Sequence, residues 1–330
     1  MRFGIFIPQG WRHDLVGIDP SDHWATMHGL AQAAEAGPWE SLWVYDHFHT
    51  VPVPTDEATH EAWTLMSAFA ATTTRIRLGQ MCSCMGYRNP AYLAKIAATV
   101  DHISAGRLEM GIGGGWYEHE WRAYGYDFPD IKDRLGMLRE GVEIFKQAWE
   151  EGVATLHGDH YRVDGAIVRP LPVQPGGPPI WVAGGGEQVT LKIAARYAAY
   201  TNFAAADLEV WRRKSELLKG HCETVGTDFD AITRSANWNT IVGETEADAH
   251  AKLESHLARI TPVIGDVAAS AVRRQFAGGE GLFGTPEQVV EILRAREAEG
   301  LGYSIHYFPD SAFDRSTVEL FEREVIPALA

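Results

Sequence analysis

The sequence is poor in cysteine and has no long apolar run, and each shortage argues against a class of protein. Three cysteines in 330 residues, an odd number, argue against a disulfide framework and for a reduced, cytoplasmic location. No apolar stretch approaches the ~20 residues of a membrane-spanning helix. The apolar pattern at the amino terminus predicts a buried strand, so we expect no signal peptide there.

Positive charge is also scarce. The chain carries 29 lysines and arginines against 44 aspartates and glutamates, which gives a formal net charge of −15. A chain with that balance is not expected to bind nucleic acid or an anionic membrane through bulk electrostatics. A local basic pocket for a small anionic ligand stays open, and we expect a small molecule as the substrate.

Short apolar runs recur along the whole chain and predict the strands of a parallel sheet. Most are apolar at successive positions, which is typical of strands that are buried on both faces. The eight predicted strands are Phe3–Pro8, Ser41–Tyr45, Ile76–Met81, Leu108–Ile112, Ile180–Ala183, Tyr200–Phe203, Ala236–Val242 and Ser304–Phe308.

Amphipathic stretches between these strands predict helices. The alternation favours the α/β class and a single (β/α)8 TIM barrel over residues 1–330, with a doubly wound sheet as the alternative. The predicted helices are Asp22–Ala36, His60–Thr72, Ala91–Ile103, Ile131–Trp149, Gln188–Arg196, Leu208–Val225, Glu244–Arg259, Pro286–Glu299 and Arg315–Pro327.

Two stretches exceed the minimal strand–helix unit and predict irregular insertions. Residues 151–179 are rich in proline and glycine, and residues 260–283 contain Gly278-Gly279-Glu280-Gly281. Long loops in compact domains often act as lids, and the second insertion is our candidate for one.

In a barrel, function lies at the carboxyl ends of the strands, where polar, aromatic and glycine residues gather in this sequence. Asp46-His47-Phe48-His49 follows the second strand, and His47 is a candidate general acid or base. His47-x-His49 could instead bind zinc, or the run could be a polar structural loop. Catalytic zinc usually takes three protein ligands, and the fifth and sixth strands end in glycine and asparagine, so we expect no metal.

Gly184-Gly185-Gly186 lies where the fifth strand turns into a helix. Bare backbone N–H groups can approach an anion there, and the helix amino terminus adds partial positive charge. This predicts a phosphate site, and a tight turn that needs positive φ is the alternative. Neither glycine run in the sequence matches the Walker or dinucleotide fingerprints.

Aromatic residues are frequent at the same strand ends. They include Trp11, Trp43, Trp63, Trp116, Tyr117 and Trp121. Some of these must belong to the core, and a flat conjugated ligand would account for the others. Cys82-x-Cys84 has the wrong spacing for a redox pair or a zinc knuckle, so we expect these small side chains to line a crowded pocket.

Seven short motifs, weak one by one, are specific in their order and spacing. They are Arg2-Phe3-Gly4-Ile5-Phe6, Trp43-Val44-Tyr45-Asp46-His47-Phe48, Arg75-Ile76-Arg77-Leu78-Gly79, Tyr87-Arg88-Asn89-Pro90, Asp101-His102-Ile103-Ser104-Ala105-Gly106-Arg107-Leu108, Gly111-Ile112-Gly113-Gly114-Gly115-Trp116 and Pro178-Pro179-Ile180-Trp181-Val182-Ala183-Gly184-Gly185-Gly186. Over essentially the whole chain they resemble the bacterial luciferase-like superfamily of flavin- and deazaflavin-dependent barrels. The coenzyme F420-dependent branch is the most similar, and FMN-dependent relatives share much of the pattern.

The resemblance implies that coenzyme F420, with FMN as the alternative, binds in the barrel mouth. It implies a non-proline cis peptide at Met81–Cys82 against the central ring of the cofactor. Asp46 would lie near the polar edge of the deazaflavin, and His47 would donate or accept a proton. The further cofactor contacts that the resemblance implies are Cys84, Gly114, Gly185, Gly186, Gln188 and Val189.

One position departs from the sugar-phosphate dehydrogenase of this branch. Trp116 stands where that enzyme has a glutamate as its acid–base partner. The departure argues for a different substrate with a bulkier or more apolar face, shaped by Trp11, Trp116 and Tyr117. The resemblance also implies a homodimer paired through early helices.

The expected function is hydride transfer between C5 of the deazaflavin and a small organic substrate, with the proton carried by His47. An FMNH2-dependent monooxygenase is the first alternative. A non-catalytic flavin-binding barrel is the second alternative, and a metal-dependent hydrolase is the third.

Overall fold

The computed structural model describes residues 1–203 and 207–329, in which short strands alternate with helices. The strands lie at Arg2–Phe6 (β1), Ser41–Val44 (β2), Arg77–Gln80 (β3), Ser83–Cys84 (β4), Leu108–Gly113 (β5), Val153–His157 (β6), Arg162–Ile167 (β7), Ile180–Ala183 (β8), Tyr200–Asn202 (β9), Thr233–Val242 (β10), Leu282–Gly284 (β11) and Leu301–Tyr307 (β12). The helices lie at His23–Ala36 (α1), Ala62–Thr72 (α2), Pro90–Ile103 (α3), Glu118–Ala123 (α4), Ile131–Glu150 (α5), Thr190–Tyr197 (α6), Leu208–Val225 (α7), Glu246–Ile264 (α8), Asp266–Ala277 (α9), Pro286–Ala298 (α10), Ser316–Leu320 (α11) and Ile326–Leu329 (α12).

The eight strands and nine helices expected from the sequence are confirmed. The strands β1, β2, β3, β5, β8, β9, β10 and β12 correspond to the apolar runs, and β2 and β5 are buried at every position. The last predicted helix is divided into α11, a π-helical turn at Phe321–Val325 and α12. No helix of the described residues is long and apolar enough to cross a membrane.

Local capping explains where some of these helices begin. Pro90 opens α3, and the side chain of Asn89 accepts the N–H of Ala91 at 3.0 Å. Pro286 likewise opens α10, where the side chain of Gln288 accepts the N–H of Thr285 at 2.9 Å. Proline suits this first position because its missing N–H would have no partner inside the helix.

The chain forms two compact units, of which the first comprises Met1–His60, Phe203–Arg213 and Thr233–Ala330. Its strands pair in parallel, β1 with β2 and β12, and β10 with β11 and β12. Ile5 lies opposite Leu42 on one side and His306 on the other. The carboxyl ends of these strands therefore face the same way.

The second unit comprises Glu61–Asn202 and Lys214–Ile232. In it β5 pairs in parallel with β3, β4 and β8, and β8 pairs in parallel with β9. The antiparallel hairpin of β6 and β7 is a separate two-stranded sheet. The parallel pairing within each unit is the pairing that the α/β prediction requires.

The two stretches predicted as irregular insertions contain regular elements, although residues 168–179 form neither helix nor strand. Residues 153–167 contain the β6–β7 hairpin, in which Ala154 and Val163 are buried. Residues 260–283 hold the end of α8, all of α9 and the start of β11, so the prediction of an irregular insertion there is wrong. The glycines misled the prediction because Gly278 caps the end of α9 rather than starting a long loop. The lid role of this segment stays a prediction.

The buried guanidinium of Arg107 fixes the approach to β3 in the second unit. The two residues before it lie in a turn with positive φ, which is 55° at Ala105 and 86° at Gly106. Arg107 is 9% exposed. Its nitrogens donate at 2.6–2.9 Å to the carbonyl oxygens of Ala70, Thr73, Ile76 and Ser104 and to the hydroxyl of Thr73.

Arg107→Met is expected to lower the free energy of unfolding by about 4 kcal/mol, because it leaves several buried carbonyl oxygens without a donor. Arg122→Met is the matched control, since Arg122 is exposed and pairs with Glu118 one turn away. Urea unfolding of both variants measures the difference. Equal stability of the two variants would contradict the role given to Arg107.

Candidate active site

The first unit turns sharply after β1, and this turn presents the residues of the candidate site. Gly10 has a φ of 96°, and a Cβ there would lie 1.8 Å from the carbonyl oxygen of Ala58, so only glycine fits. The side chain of Gln9 donates to the carbonyl oxygens of Tyr45 and His60 at 2.8 and 3.0 Å. These contacts tie the end of β1 to the segment that follows β2.

The predicted pocket residue Trp11 and the predicted proton carrier His47 lie together at this turn. Their rings stack with centroids 4.3 Å apart and planes inclined by 3°. The indole is buried and the imidazole is half-buried. Asp46 is 1% exposed and directly precedes His47. The structure therefore places all three of the site residues predicted in this unit at the ends of β1 and β2.

Asp14 is a buried carboxyl group that the sequence analysis did not single out. Its Oδ1 accepts the N–H of Gly10 at 2.6 Å. Burial raises the pKa of Asp14 to about 6, although the hydrogen bond from Gly10 and the charge of Arg12 act in the opposite direction. A carboxyl group with such a pKa can exchange a proton near neutral pH.

Arg12, also missed from the sequence, lies among three aromatic rings of the same unit. Its Cζ is 5.2, 5.6 and 4.9 Å from the ring centroids of Trp11, Tyr45 and Tyr307. Its Nη1 donates to Oδ1 of Asn239 in β10 at 2.6 Å. Cation–π contacts of this kind contribute roughly 0.5–2 kcal/mol each. They hold a permanent positive charge at the strand ends.

His306, in contrast, is a structural histidine. It is fully buried in β12, and its ring nitrogens are hydrogen-bonded to the hydroxyl groups of Ser304 and Thr240 at 2.8 and 3.0 Å. Burial lowers the pKa of His306 to about 3, so the ring is neutral at physiological pH.

In the second unit, the cis peptide bond expected between Met81 and Cys82 is present and joins β3 to β4. The cysteines lie against the glycine run of β5. A Cβ on Gly113 would be 2.6 Å from Sγ of Cys82, and a Cβ on Gly115 would be 2.4 Å from Sγ of Cys84. The two thiols therefore occupy space that side chains in the glycine run would need.

Gly114, Trp116 and Tyr117 follow the end of β5, as the sequence predicts. Trp116 is 61% exposed, and its ring stacks on that of Tyr117 at 5.1 Å with an angle of 20°. Burial and the charge of Glu120 raise the pKa of the Tyr117 phenol. The pair presents an aromatic surface at this strand end, and Gly114 adds no side chain beside it.

The glycine loop after β8 is approached by a lysine that the sequence analysis missed. Gly184 has a φ of 107°, and a Cβ on Gly185 would lie 2.1 Å from Nζ of Lys214 in α7. The ammonium group therefore rests against bare backbone. A cation beside a glycine loop and a helix start is a combination that binds phosphate.

The helix after this loop begins two residues later than predicted. α6 starts at Thr190, and a Cβ on Gly186 would lie 2.7 Å from the hydroxyl oxygen of Thr190. Gln188 and Val189 are exposed and belong to the loop. Glu187, the acidic neighbour in the loop, accepts a hydrogen bond from His221 through its carbonyl oxygen at 2.8 Å.

The residues present fit a flat cofactor that carries a phosphate. In the second unit, the space that a side chain at Gly185 would fill is taken by the Lys214 ammonium, which supplies the cation for a phosphate. The stacked rings of Trp11 and His47 in the first unit are suited to a flat apolar ligand. Across residues 1–203 and 207–329, no group of three or more His, Cys, Asp or Glu side chains is arranged to hold a metal ion.

Solved structures share the fold. The monooxygenase RslO1 from Streptomyces bottropensis is 21% identical, the match covers 100% of both chains, and the TM-score is 0.80. The coenzyme F420-dependent tetrahydromethanopterin reductase from Methanopyrus kandleri is 20% identical, with 100% of this chain and 99% of that chain covered and a TM-score of 0.78. These matches confirm the (β/α)8 TIM barrel and exclude the doubly wound sheet.

The fold is that of an α/β barrel. The family model described as luciferase-like monooxygenase matches residues 1–304. The chain belongs to this luciferase-like family, which confirms the resemblance found in the sequence.

Relatives within the family carry two kinds of name. An F420-dependent glucose-6-phosphate dehydrogenase from Amycolatopsis mediterranei is 33% identical over 172 residues, which are 51% of this chain and 48% of the relative. The chain thus spans about half the length of the first curated relatives it matches. The dehydrogenase of the same name from Nocardia farcinica is 29% identical over 325 residues, 91% of this chain and 92% of the relative. An FMNH2-dependent dimethylsulfone monooxygenase from Pseudomonas putida is 26% identical over 298 residues, 81% and 78% of the two chains.

Asp14→Asn is expected to remove a pH dependence of stability. Because the pKa of Asp14 is raised to about 6 from an ordinary value of 3.8, its ionisation opposes folding, and stability falls as pH rises between these values. The variant should gain roughly 2–3 kcal/mol relative to the wild type between pH 4 and pH 7. Guanidinium unfolding across this range measures the gain.

Asp164→Asn serves as the control, because Asp164 is exposed on β7 and its substitution should give a difference that does not change with pH. A pH-independent difference for Asp14→Asn as well would show that the buried carboxyl group does not titrate in this range.

Proposed function

We propose that this chain is a coenzyme F420-dependent oxidoreductase that transfers a hydride between the deazaflavin C5 and a small organic substrate. The observation that carries the proposal is its similarity, over 91% of its length, to the F420-dependent dehydrogenase of Nocardia farcinica. When bound, the coenzyme supplies the carbon that gives or takes the hydride. The chain itself has to hold the ring, bind the substrate and carry a proton.

His47 is the residue that we assign to the proton. The flat contact with Trp11 fixes the plane of the imidazole, so its ring nitrogens keep a constant direction. Histidine is the most frequent general acid or base in enzymes, and proton transfer by such a group contributes roughly 10²–10⁴-fold to rate. We assign Asp46 to the polar edge of the coenzyme, as the family resemblance implies.

The coenzyme contacts of the second unit fall into two groups. We assign Met81, Cys82, Cys84 and Gly114 to the ring system. We assign the loop residues Gly185, Gly186, Gln188 and Val189 to the phosphate. The support for the second assignment is the ammonium group of Lys214 against Gly185, because a cation and bare backbone complement a phosphate group.

We propose that the substrate is not the sugar phosphate named for the dehydrogenase relatives. The departure at Trp116 supports this view, because an exposed indole stacked on Tyr117 cannot exchange a proton as a carboxylate does. Trp11, Trp116 and Tyr117 are assigned to a substrate pocket with a larger apolar surface.

An FMNH2-dependent monooxygenase is the second candidate function. The similarity to the dimethylsulfone monooxygenase over 81% of the chain favours it, and the glycine loop with Lys214 would suit the phosphate of FMN equally well. Oxygen consumption that requires both a substrate and reduced FMN would support this candidate. Tight cofactor binding without turnover would indicate a binding protein instead.

We further propose one domain over residues 1–330, because the family match is continuous over residues 1–304. The protein would act as a cytoplasmic homodimer with no nucleic acid or membrane partner. Support for the location comes from Cys82, Cys84 and Cys222, which are free thiols. Support for pairing through early helices comes from α3, which leaves Tyr92 and Ile103 exposed.

A parallel titration with coenzyme F420 and FMN tests the proposed function. We expect F420 to quench tryptophan fluorescence with a Kd of roughly 1 μM or below, equivalent to about −8 kcal/mol, and FMN to bind at least about tenfold more weakly. The reverse preference would move the protein to the monooxygenase candidate. Binding of neither cofactor would overturn both.

Lys214→Gln is expected to weaken F420 binding roughly tenfold, because a charge-assisted hydrogen bond to phosphate contributes about 1.5–3 kcal/mol. Lys219→Gln on the exposed face of the same helix is the matched control and should leave Kd unchanged. The deazaflavin that lacks the phosphate should bind both variants as it binds the wild type. A loss of affinity for that compound would show that Lys214 acts on something other than the phosphate.

A further inference from the structure

We propose that Arg12 binds the carboxylate of an organic anion, and that the substrate of this site is a carboxylate-bearing molecule. The proposal deepens the proposed function and rests on it in one respect, since it calls the bound anion the substrate. The binding of a carboxylate by Arg12 can be measured without any reaction.

Arg12 forms no direct ion pair with a carboxylate in the part of the chain that the structure describes. Within residues 1–203 and 207–329, no carboxylate oxygen lies within the 4.0 Å of an ion pair with its guanidinium. Arg2, at the other end of β1, shows the usual arrangement, because it lies 5.0 Å from the Tyr303 ring but also pairs with Glu40 at 3.3 Å.

Asp14 acts on Arg12 through its charge, without an ion pair among the described residues. Its carboxyl accepts the N–H of Gly10, and because burial raises its pKa to about 6, it offsets part of the Arg12 charge at neutral pH and less as pH falls towards 6. The nearby His256 is buried, and burial lowers its pKa to about 3, so it adds no positive charge at neutral pH. The cation of this cluster is therefore Arg12.

The hydrogen bonds of Arg12 leave one edge of the guanidinium without an acceptor among the described residues, and Nε on that edge is buried, so a ligand would reach it by displacing the side chains packed over it. Nη1 donates to Asn239, whereas Nε has no acceptor in the part of the chain that the structure describes. The edge formed by Nε and Nη2 is the edge that a carboxylate bridges with two parallel hydrogen bonds. The aromatic surroundings favour a monoanion over a phosphate dianion, because the cost of removing an ion from water rises steeply with its charge.

The position of Arg12 relates the anion to the chemistry proposed for the site. The Trp11 ring contacts both Arg12 and His47, because its centroid lies 5.2 Å from Cζ of Arg12 and 4.3 Å from the ring centroid of His47. A carboxylate on Arg12 would therefore lie beside the indole that carries the proposed proton donor. Arg12 acts in this scheme as a substrate-binding and specificity-determining residue.

Calorimetric titrations with benzoate and benzamide test the proposal. The two probes have the same shape and differ in charge, and sodium chloride keeps the ionic strength equal. We expect the wild type, alone or saturated with F420, to bind benzoate roughly tenfold or more tightly than benzamide. Arg12→Gln should abolish the preference, and Arg12→Lys should keep part of it, because lysine preserves the charge but not the two-donor edge. Arg2→Gln is the matched control and should keep the full preference.

Equal binding of the two probes by the wild type, with and without F420, would overturn the proposal. So would a benzoate preference that survives Arg12→Gln. If Arg12→Gln does not fold, the Arg12→Lys variant and the wild-type comparison decide. The F420 Kd of each variant is measured in parallel: loss of F420 binding with unchanged benzoate preference would assign Arg12 to the coenzyme. Absence of F420 binding to the wild type would instead remove the proposed function while leaving the anion site in place.

Discussion

The close approach of Gly10 to the carbonyl oxygen of Ala58 is the contact on which the candidate site of the first unit depends. A side chain at position 10 would collide with backbone, so β1 could not turn where it does. The turn then places the flat ring of Trp11, the cation of Arg12 and the buried carboxyl group of Asp14 within four consecutive positions. Asp14 in return accepts the N–H of Gly10, so the turn and the carboxyl group stabilise each other.

In the second unit, glycines that have no side chain leave space for groups from other segments. At Gly113 and Gly115 the vacant Cβ positions are filled by the thiols of Cys82 and Cys84, which brings the cis peptide segment against β5. At Gly185 the space is filled by the ammonium group of Lys214. Glycine thus allows close packing of thiols at positions 113 and 115 and close approach of an ammonium group at position 185. Arg107 completes this unit by donating to the backbone carbonyl oxygens of Ala70, Thr73 and Ile76.

The sequence predicted the elements well because the barrel strands are buried at successive positions, as β5 illustrates. It failed for α9, where a glycine cluster next to the helix resembled a loop. The sequence analysis could select candidate residues where they follow a strand directly, as His47 does. Lys214 lies on a helix distant in sequence from its loop, and Asp14 reads as an ordinary polar loop residue, so only tertiary structure could reveal either one.

Arg12, which has no ion-paired carboxylate among the described residues, lies in a strongly acidic chain. The rate at which an anion associates and the strength with which it is bound therefore depend on charges of opposite sign. At distances beyond ~10 Å the net charge of −15 repels an anion, and added salt screens that repulsion and speeds encounter. At contact distance the guanidinium of Arg12 dominates, and the same salt speeds dissociation. Such a protein rarely meets an anion and retains the few whose shape allows them to reach the aromatic rings, so selection among cellular anions would occur by residence time rather than by attraction.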